Sequence, residues 1–85
     1  MKVRQFSLRR YVERALQLAE YAQDENGVVV ARVPQASGFY AQGATVEEAR
    51  TELAEVIEGN VLLALQLGLD IPKLPDFPVL EQDVA

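Results

Sequence analysis

Cysteine and histidine are both missing from the 85 residues of this chain. Without cysteine there is no disulfide, no thiolate metal site and no thiol nucleophile. Without histidine every imidazole acid, base or ligand is excluded. Carboxylates, lysines, hydroxyls and tyrosines are all that remain for chemistry. Long apolar runs are missing too, since none reaches the roughly 18 residues that a membrane-spanning helix requires. The N-terminus carries arginines but no apolar signal-peptide core, so a cytoplasmic location is expected.

What is present describes a small globular protein. The apolar fraction is 49% and the charged fraction 25%, a composition that can build a core. The length suits a single domain over residues 1–85. Such a chain buries only roughly 60–65% of its unfolded surface, so a lone monomer would be marginal. The net charge is −5, but its distribution is uneven. Lys2, Arg4, Arg9, Arg10 and Arg14 cluster at the start against Glu13 alone. The remainder is acidic, which argues against broad nucleic-acid binding and suits a partner with a basic face.

Periodicity predicts the elements. Ser7 is placed to cap a helix over residues 7–18, with Leu8, Tyr11, Val12, Ala15, Leu16 and Ala19 on one stripe. Arg9, Arg10, Glu13 and Arg14 take its other side, as a solvated face or as a contact for nucleic acid or a protein partner. "KVRQF" before it alternates polar and apolar and is read as a loose terminus. "AEYAQ" and "VVVARV" flank "DENG" and read as a hairpin, with Asn26-Gly27 suited to the positive φ angles of a tight turn. A loop of two or four residues would put Leu18, Glu20, Ala22, Val29, Ala31 and Val33 on one face. Ala19, Tyr21, Gln23, Val28, Val30 and Arg32 would share the other. Neither face is wholly polar, so cover on both sides is expected: the long helix on one side, and the short first helix or another subunit on the other. Pro34 ends the second strand, and "FYAQ" (39–42) reads as a short third, antiparallel strand after a connection of about five residues.

Residues 45–67 carry the strongest signal. Thr45 is the expected N-cap with Glu48 completing a capping box, and Gly68 fits the C-terminal cap. Gly59 inside this helix suggests close packing or a kink. "VLLALQLGL" is apolar almost all round, so its burial calls for a second copy of the chain or for cover by the proline-rich tail. Val61, Leu62, Leu63, Leu65 and Leu69 are the expected self-association residues. The tail, with Pro72, Pro75 and Pro78, is extended, and "FPVL" is a candidate edge strand. The last few residues are expected to fray. The fold class is thus α+β: a short helix, a three-stranded antiparallel sheet, a long helix and a short final strand or extended segment, in two layers.

"GFYAQGAT" (38–45) differs by one residue from a phosphate-binding loop, but Ala44 stands where that loop needs lysine. Thr45, Glu47 and Glu48 already occupy the helix start and would repel an anion. The two glycines are read as bracketing the short strand with backbone turns. The acidic pairs Asp24-Glu25 and Glu47-Glu48 have no metal-ligand spacing, and Glu48, Glu52, Glu55 and Glu58 form a solvated helix ridge or a docking strip for a basic partner. No catalytic site, metal or cofactor is expected, and a binding module is favoured over an enzyme.

The stretch "DENGVVVARVPQASGFYAQGATVEEARTELAEVIE" resembles the HicB-like antitoxin family. The resemblance rests on Asp24, Asn26, Gly27, Val33, Pro34, Gly38, Gln42, Gly43, Thr45, Glu48, Ala49, Leu53 and Ile57. It implies a partial ribonuclease-H-like fold without nuclease activity. It also implies binding to a small basic HicA-like toxin, an mRNA-cleaving protein whose active face the antitoxin covers, and dimers or higher oligomers. "PQASG" departs from the family's usual loop, and the chain is expected to lack the DNA-binding domain that many members add. A regulator binding nucleic acid through the basic first helix is the alternative. From the strand faces, Arg32, Phe39, Tyr40 and Gln42 are the candidate partner-binding residues.

Overall fold

The turn between the first two strands of the main sheet decides which side chains face the core. In the computed structural model, which describes residues 2–77 and 80–83, β2 (Glu20–Gln23) pairs antiparallel with β3 (Val29–Val33). The register places Tyr21 opposite Ala31 and Gln23 opposite Val29. Asp24 N donates to Val28 O at 2.9 Å and Gly27 N to Asp24 O at 3.1 Å, so the loop proper is Glu25-Asn26-Gly27. Gly27 alone adopts positive φ, 81°. This is a turn followed by a left-handed glycine, the three-residue hairpin rather than the two-residue one. The Asp24 carboxylate secures it by accepting from the N–H groups of Asn26 (2.8 Å) and Val28 (2.9 Å). An odd loop reverses the expected parity. Tyr21, Val29, Ala31 and Val33 share the inner face, and Glu20 and Ala22 move to the outer one.

The third strand is longer than expected. β4 spans Ala36–Gly43, and Val33 pairs with Ala36, so the connection is only Pro34-Gln35. A register shift follows between Arg32 and Val33. That irregularity admits extra residues and lets β4 run on through Gly38, which lies inside the strand instead of bounding it. The sheet order is β2-β3-β4.

Both helices lie on one side of this sheet. α1 (Leu8–Leu18) is capped by Ser7, whose hydroxyl accepts from Arg10 N at 3.3 Å. α2 (Val46–Leu67) begins at Thr45, whose hydroxyl accepts from Glu48 N at 3.1 Å, and ends at Gly68 in the left-handed conformation (φ 70°). Ala49, Leu53, Ile57, Val61 and Ala64 form its inward stripe. They close over Ala31, Val33, Phe39 and Ala41 of the sheet and Tyr11 and Ala15 of α1. Gly43 makes this closure possible. A Cβ there would come within 2.6 Å of Ala49 N, so only glycine lets the end of β4 meet the first turn of α2. Gly59 has no such role: nothing lies within 4 Å of its missing Cβ, and it is exposed. It leaves the helix weaker by about 1 kcal/mol than alanine would.

The tail folds back onto α1 and leaves the end of α2 uncovered. Tyr11 Oη donates to Pro72 O at 2.6 Å, and Arg14 Nε to Pro75 O at 2.9 Å. Asp76, at φ 57°, closes a turn in which Phe77 N donates to Leu74 O at 3.3 Å. Proline second and a left-handed residue third is the type II pattern, which aspartate tolerates better than most. Leu74 is buried, and Phe77 packs edge-on against Tyr11 with ring centroids 5.4 Å apart. Beyond it β5 (Leu80–Asp83) pairs antiparallel with β1 (Lys2–Gln5), so the N-terminal segment is a paired strand and not the loose terminus expected. Of the candidate edge strand 77–80, residues 78 and 79 lie outside the described residues, as do 84 and 85.

Candidate partner-binding face

Since α1 and α2 both cover the inner face, the outer face of the main sheet carries no second layer among the described residues. Of the two covers expected for this face, the first helix does not supply it among the described residues, since α1 lies on the inner side with α2. The register arranges this face as two rows across the strands. Glu20, Arg32 and Tyr40 make one row, and Ala22, Val30 and Gln42 the other. Five of the six are exposed and Val30 is half-buried. Arg32 Nη2 lies 3.3 Å from Glu20 Oε1 across the strand pair. Both side chains are largely in water, so this ion pair contributes at most about 1 kcal/mol and holds the guanidinium only loosely. Tyr40 is 53% exposed, an aromatic ring presented beside a positive charge. The arrangement offers an apolar patch (Ala22, Val30, the Tyr40 ring) with donors and acceptors around it.

Three of the four residues expected from the strand faces meet here: Arg32, Tyr40 and Gln42. Phe39 does not. It is 2% exposed and packs edge-on to Tyr11, with centroids 6.2 Å apart. Adjacent residues of a strand point to opposite faces, so Phe39 and Tyr40 could never have served one surface. Glu20, Ala22 and Val30 complete the face and were missed. The even-loop reading had put Glu20 and Ala22 on the opposite face from Val30 and Arg32. Three residues between Asp24 and Val28, ending in glycine, were the signal for the odd loop.

The expected self-association residues also divide. Val61 is 1% exposed and belongs to the core. Leu62, Leu63, Leu65 and Leu69 are exposed by 41–55%, and Leu67 joins them at 62%. Leu69 N closes the α2 cap on Ala64 O at 2.8 Å, but its side chain stays in water.

The basic face of α1 is partly committed within the fold. Arg14 reaches the Pro75 carbonyl and lies 3.5 Å from Asp76, and Arg9 lies 3.8 Å from Glu13. Among the described residues, open hollows flank the helices. One, of about 420 Å³, lies between α1 and α2 and is lined by Leu8, Arg9, Val12, Glu13 and Glu58. The other, of about 330 Å³, is lined by Tyr21, Gln23, Val29, Thr45 and Val46. The Tyr21 hydroxyl is buried without a hydrogen-bond partner among the described residues. In the same residues no three acidic side chains are disposed to hold a metal, and no helix is long and apolar enough to cross a membrane.

Comparison with known proteins agrees with this architecture. The crystal structure of TTHA0281 from Thermus thermophilus superposes with a TM-score of 0.75 at 27% identity, covering 81% of this chain and 86% of that one. No curated protein matches. A model of the UPF0150-like family matches residues 10–72, from α1 through the sheet and α2 to the start of the tail. The chain belongs to the UPF0150-like family of small toxin–antitoxin-like proteins.

Proposed function

We propose that this protein is a non-catalytic, HicB-type antitoxin that neutralises a small basic mRNA-cleaving toxin, in the cytoplasm, by covering its active face. The observation that carries the reading is the uncovered outer face of the β2-β3-β4 sheet, where Arg32, Tyr40 and Gln42 stand around Ala22 and Val30. An antiparallel sheet can leave one face in water, but this one keeps apolar groups there, Ala22, Val30 and the Tyr40 ring, which a partner would cover. The net charge of −5 favours encounter with a basic protein. Membership in the UPF0150-like family, together with the resemblance of residues 24–58 to HicB-like antitoxins, favours a small basic toxin as that partner. Binding through this face needs no enzymatic group, metal or cofactor.

The test uses the small basic protein encoded beside this one, produced together with it. Wild-type protein should bind it and suppress its RNA cleavage. Arg32→Ala with Tyr40→Ala should weaken binding by at least about tenfold, roughly 1.4 kcal/mol, while the circular dichroism stays that of the wild type. If no such neighbour is encoded, or if the wild type neither binds it nor suppresses cleavage, the reading fails.

A further inference from the structure

We infer that the free edge of β4 takes an extended segment of a basic protein as a fourth strand, with lysines or arginines at alternate positions turned toward the Glu48–Glu52 flank of α2. This rests on the reading that the partner is basic, and adds how that partner is held. The pairing pattern decides which backbone groups are available. Asp24 N donates to Val28 O, which makes 24 and 28 a hydrogen-bonded pair of the antiparallel ladder. Such pairs recur at every second residue, so Ala22 with Val30 and Glu20 with Arg32 are bonded pairs as well. Val30 and Arg32 therefore turn their backbone groups to β2. Val29 and Ala31 turn theirs to β4, toward Gly43 and Ala41. The backbone N–H and C=O of Tyr40 and Gln42 are left pointing out of the sheet. Among the described residues β4 has β3 as its sole strand neighbour, and no turn, loop or cap hydrogen bond of the backbone reaches Tyr40 or Gln42.

Sheet edges are commonly blunted by charge, by proline or by short length. β2, the opposite edge, is four residues long and carries Glu20. β4 is eight residues long, has no charged residue and no proline, and its register shift lies before Tyr40. From Tyr40 to Gly43 the ladder is regular. The two residues with outward backbone groups therefore stand about 7 Å apart, the repeat at which an added strand bonds both.

The chemistry of the added strand follows from what flanks the edge. The Cβ position of Gly43 lies 3.0 Å from Glu48 Cβ, so the first turn of α2 rises over the end of β4. Glu52 follows one turn later on the same flank. Glu58 lines the hollow between α1 and α2, on the other flank, and Arg50 lies on its row two turns earlier. The sole cation of α2 is thus turned away from β4. Glu48 and Glu52 are exposed, and neither pairs with a cation among the described residues. Side chains alternate along a strand. In an added strand one row stands on the outer face beside Tyr40 and Gln42, and the other rises beside α2, where the two carboxylates are. Lysine or arginine at alternate positions matches that second row, and an acidic strand is repelled by it. A second copy of β4 brings no cation there and adds its own Glu48 and Glu52.

The test needs no toxin. The probe is a synthetic peptide of alternating lysine and threonine, titrated into the isotope-labelled chain and read by NMR. It should slow amide exchange at Tyr40 and Gln42 by at least about tenfold and leave Ala41, already bonded to β3, unchanged. Gln42→Pro removes one outward N–H without touching the β3–β4 ladder and should weaken peptide binding by about tenfold, whereas Gln42→Ala should weaken it by less than about threefold. Glu52→Lys should weaken it at least about fivefold more than Glu58→Lys, which changes the net charge equally on the other flank. Exchange in the wild type decides the question even where Gln42→Pro fails to fold. Absence of peptide binding, unprotected Tyr40 and Gln42 amides in the complex, or equal losses for Glu52→Lys and Glu58→Lys overturns the proposal. So does protection of these two amides in the chain alone that grows with its concentration, since the edge then pairs with a second copy. The function proposed above fails separately. A missing or unaffected toxin leaves the peptide result standing, and a failed peptide leaves the Arg32→Ala with Tyr40→Ala test untouched.

Discussion

Gly43→Ala isolates the contact that joins the sheet to the long helix. The added methyl would lie 2.6 Å from Ala49 N and 3.0 Å from both the carbonyl carbon and Cβ of Glu48. These are main-chain and inner side-chain atoms of a capped first turn, and Ala49 itself is fully buried. No flexible side-chain end can yield, so β4 and α2 must separate. Forcing atoms into a packed site of this kind costs about 1–3 kcal/mol. Against it stands the entropy that alanine removes from the unfolded chain, about 0.4–1 kcal/mol in favour of folding. The net expectation is a loss of about 1–2 kcal/mol. For a domain of this size each kcal/mol lowers the melting temperature by roughly 4–8 °C. Gly38→Ala is the control: it also lies in β4, but nothing is within 4 Å of its Cβ position and its φ is not positive. It should be neutral or stabilising by up to about 1 kcal/mol. Urea titrations of both variants measure the difference. If Gly43→Ala unfolds at the same denaturant concentration as Gly38→Ala, the close-approach argument is wrong.

Two further outcomes follow from side chains that anchor the backbone. Tyr11→Phe removes the bond to the Pro72 carbonyl and should cost about 0.5–1.5 kcal/mol at neutral pH. Burial pushes the Tyr11 hydroxyl up from 10.0 to about 12, so folding favours its neutral form. That contribution is complete below pH 10 and is lost as pH rises toward 12. Alkaline unfolding curves of Tyr11→Phe should therefore be flatter across this window than those of the wild type, and parallel curves would contradict the assignment. Asp24→Ala removes the acceptor shared by Asn26 N and Val28 N and should destabilise by about 1–2 kcal/mol. Asp24→Asn keeps an acceptor oxygen and should recover most of the loss in the same denaturation assay.

The helices were legible because their ends are set by neighbours in sequence. Ser7, Thr45 and Gly68 each act on backbone groups within four residues, and all three do so as expected. The inward stripe of α2 was equally local, since Ala49, Leu53, Ile57 and Val61 repeat at helical spacing. The sheet was legible in number and direction but not in register. "NG" serves a two-residue turn and also the end of a three-residue one, and the difference reverses every face assignment in β2. That single ambiguity hid Glu20 and Ala22 from the candidate face. Gly38 was mistaken for a boundary because the irregularity at Arg32/Val33 depends on pairing between strands, not on the glycine itself. The pairing of β1 with β5 spans nearly the whole chain, and no local pattern announces it.

That pairing has a kinetic side. Closing a loop between residues about 80 apart from an unfolded chain carries an entropic penalty that grows with the logarithm of its length. In the folded body the penalty is far smaller, because Phe6 and Phe77 already meet, with ring centroids 6.1 Å apart, beside Tyr11. From that aromatic knot only a few residues lead to either strand, so each strand sees the other at a high effective concentration. A two-stranded ribbon is marginal in isolation, and here its lifetime is tied to the knot at its root. The ribbon is therefore expected to form late and open first, and loosening Phe6 or Phe77 to release β1 and β5 together.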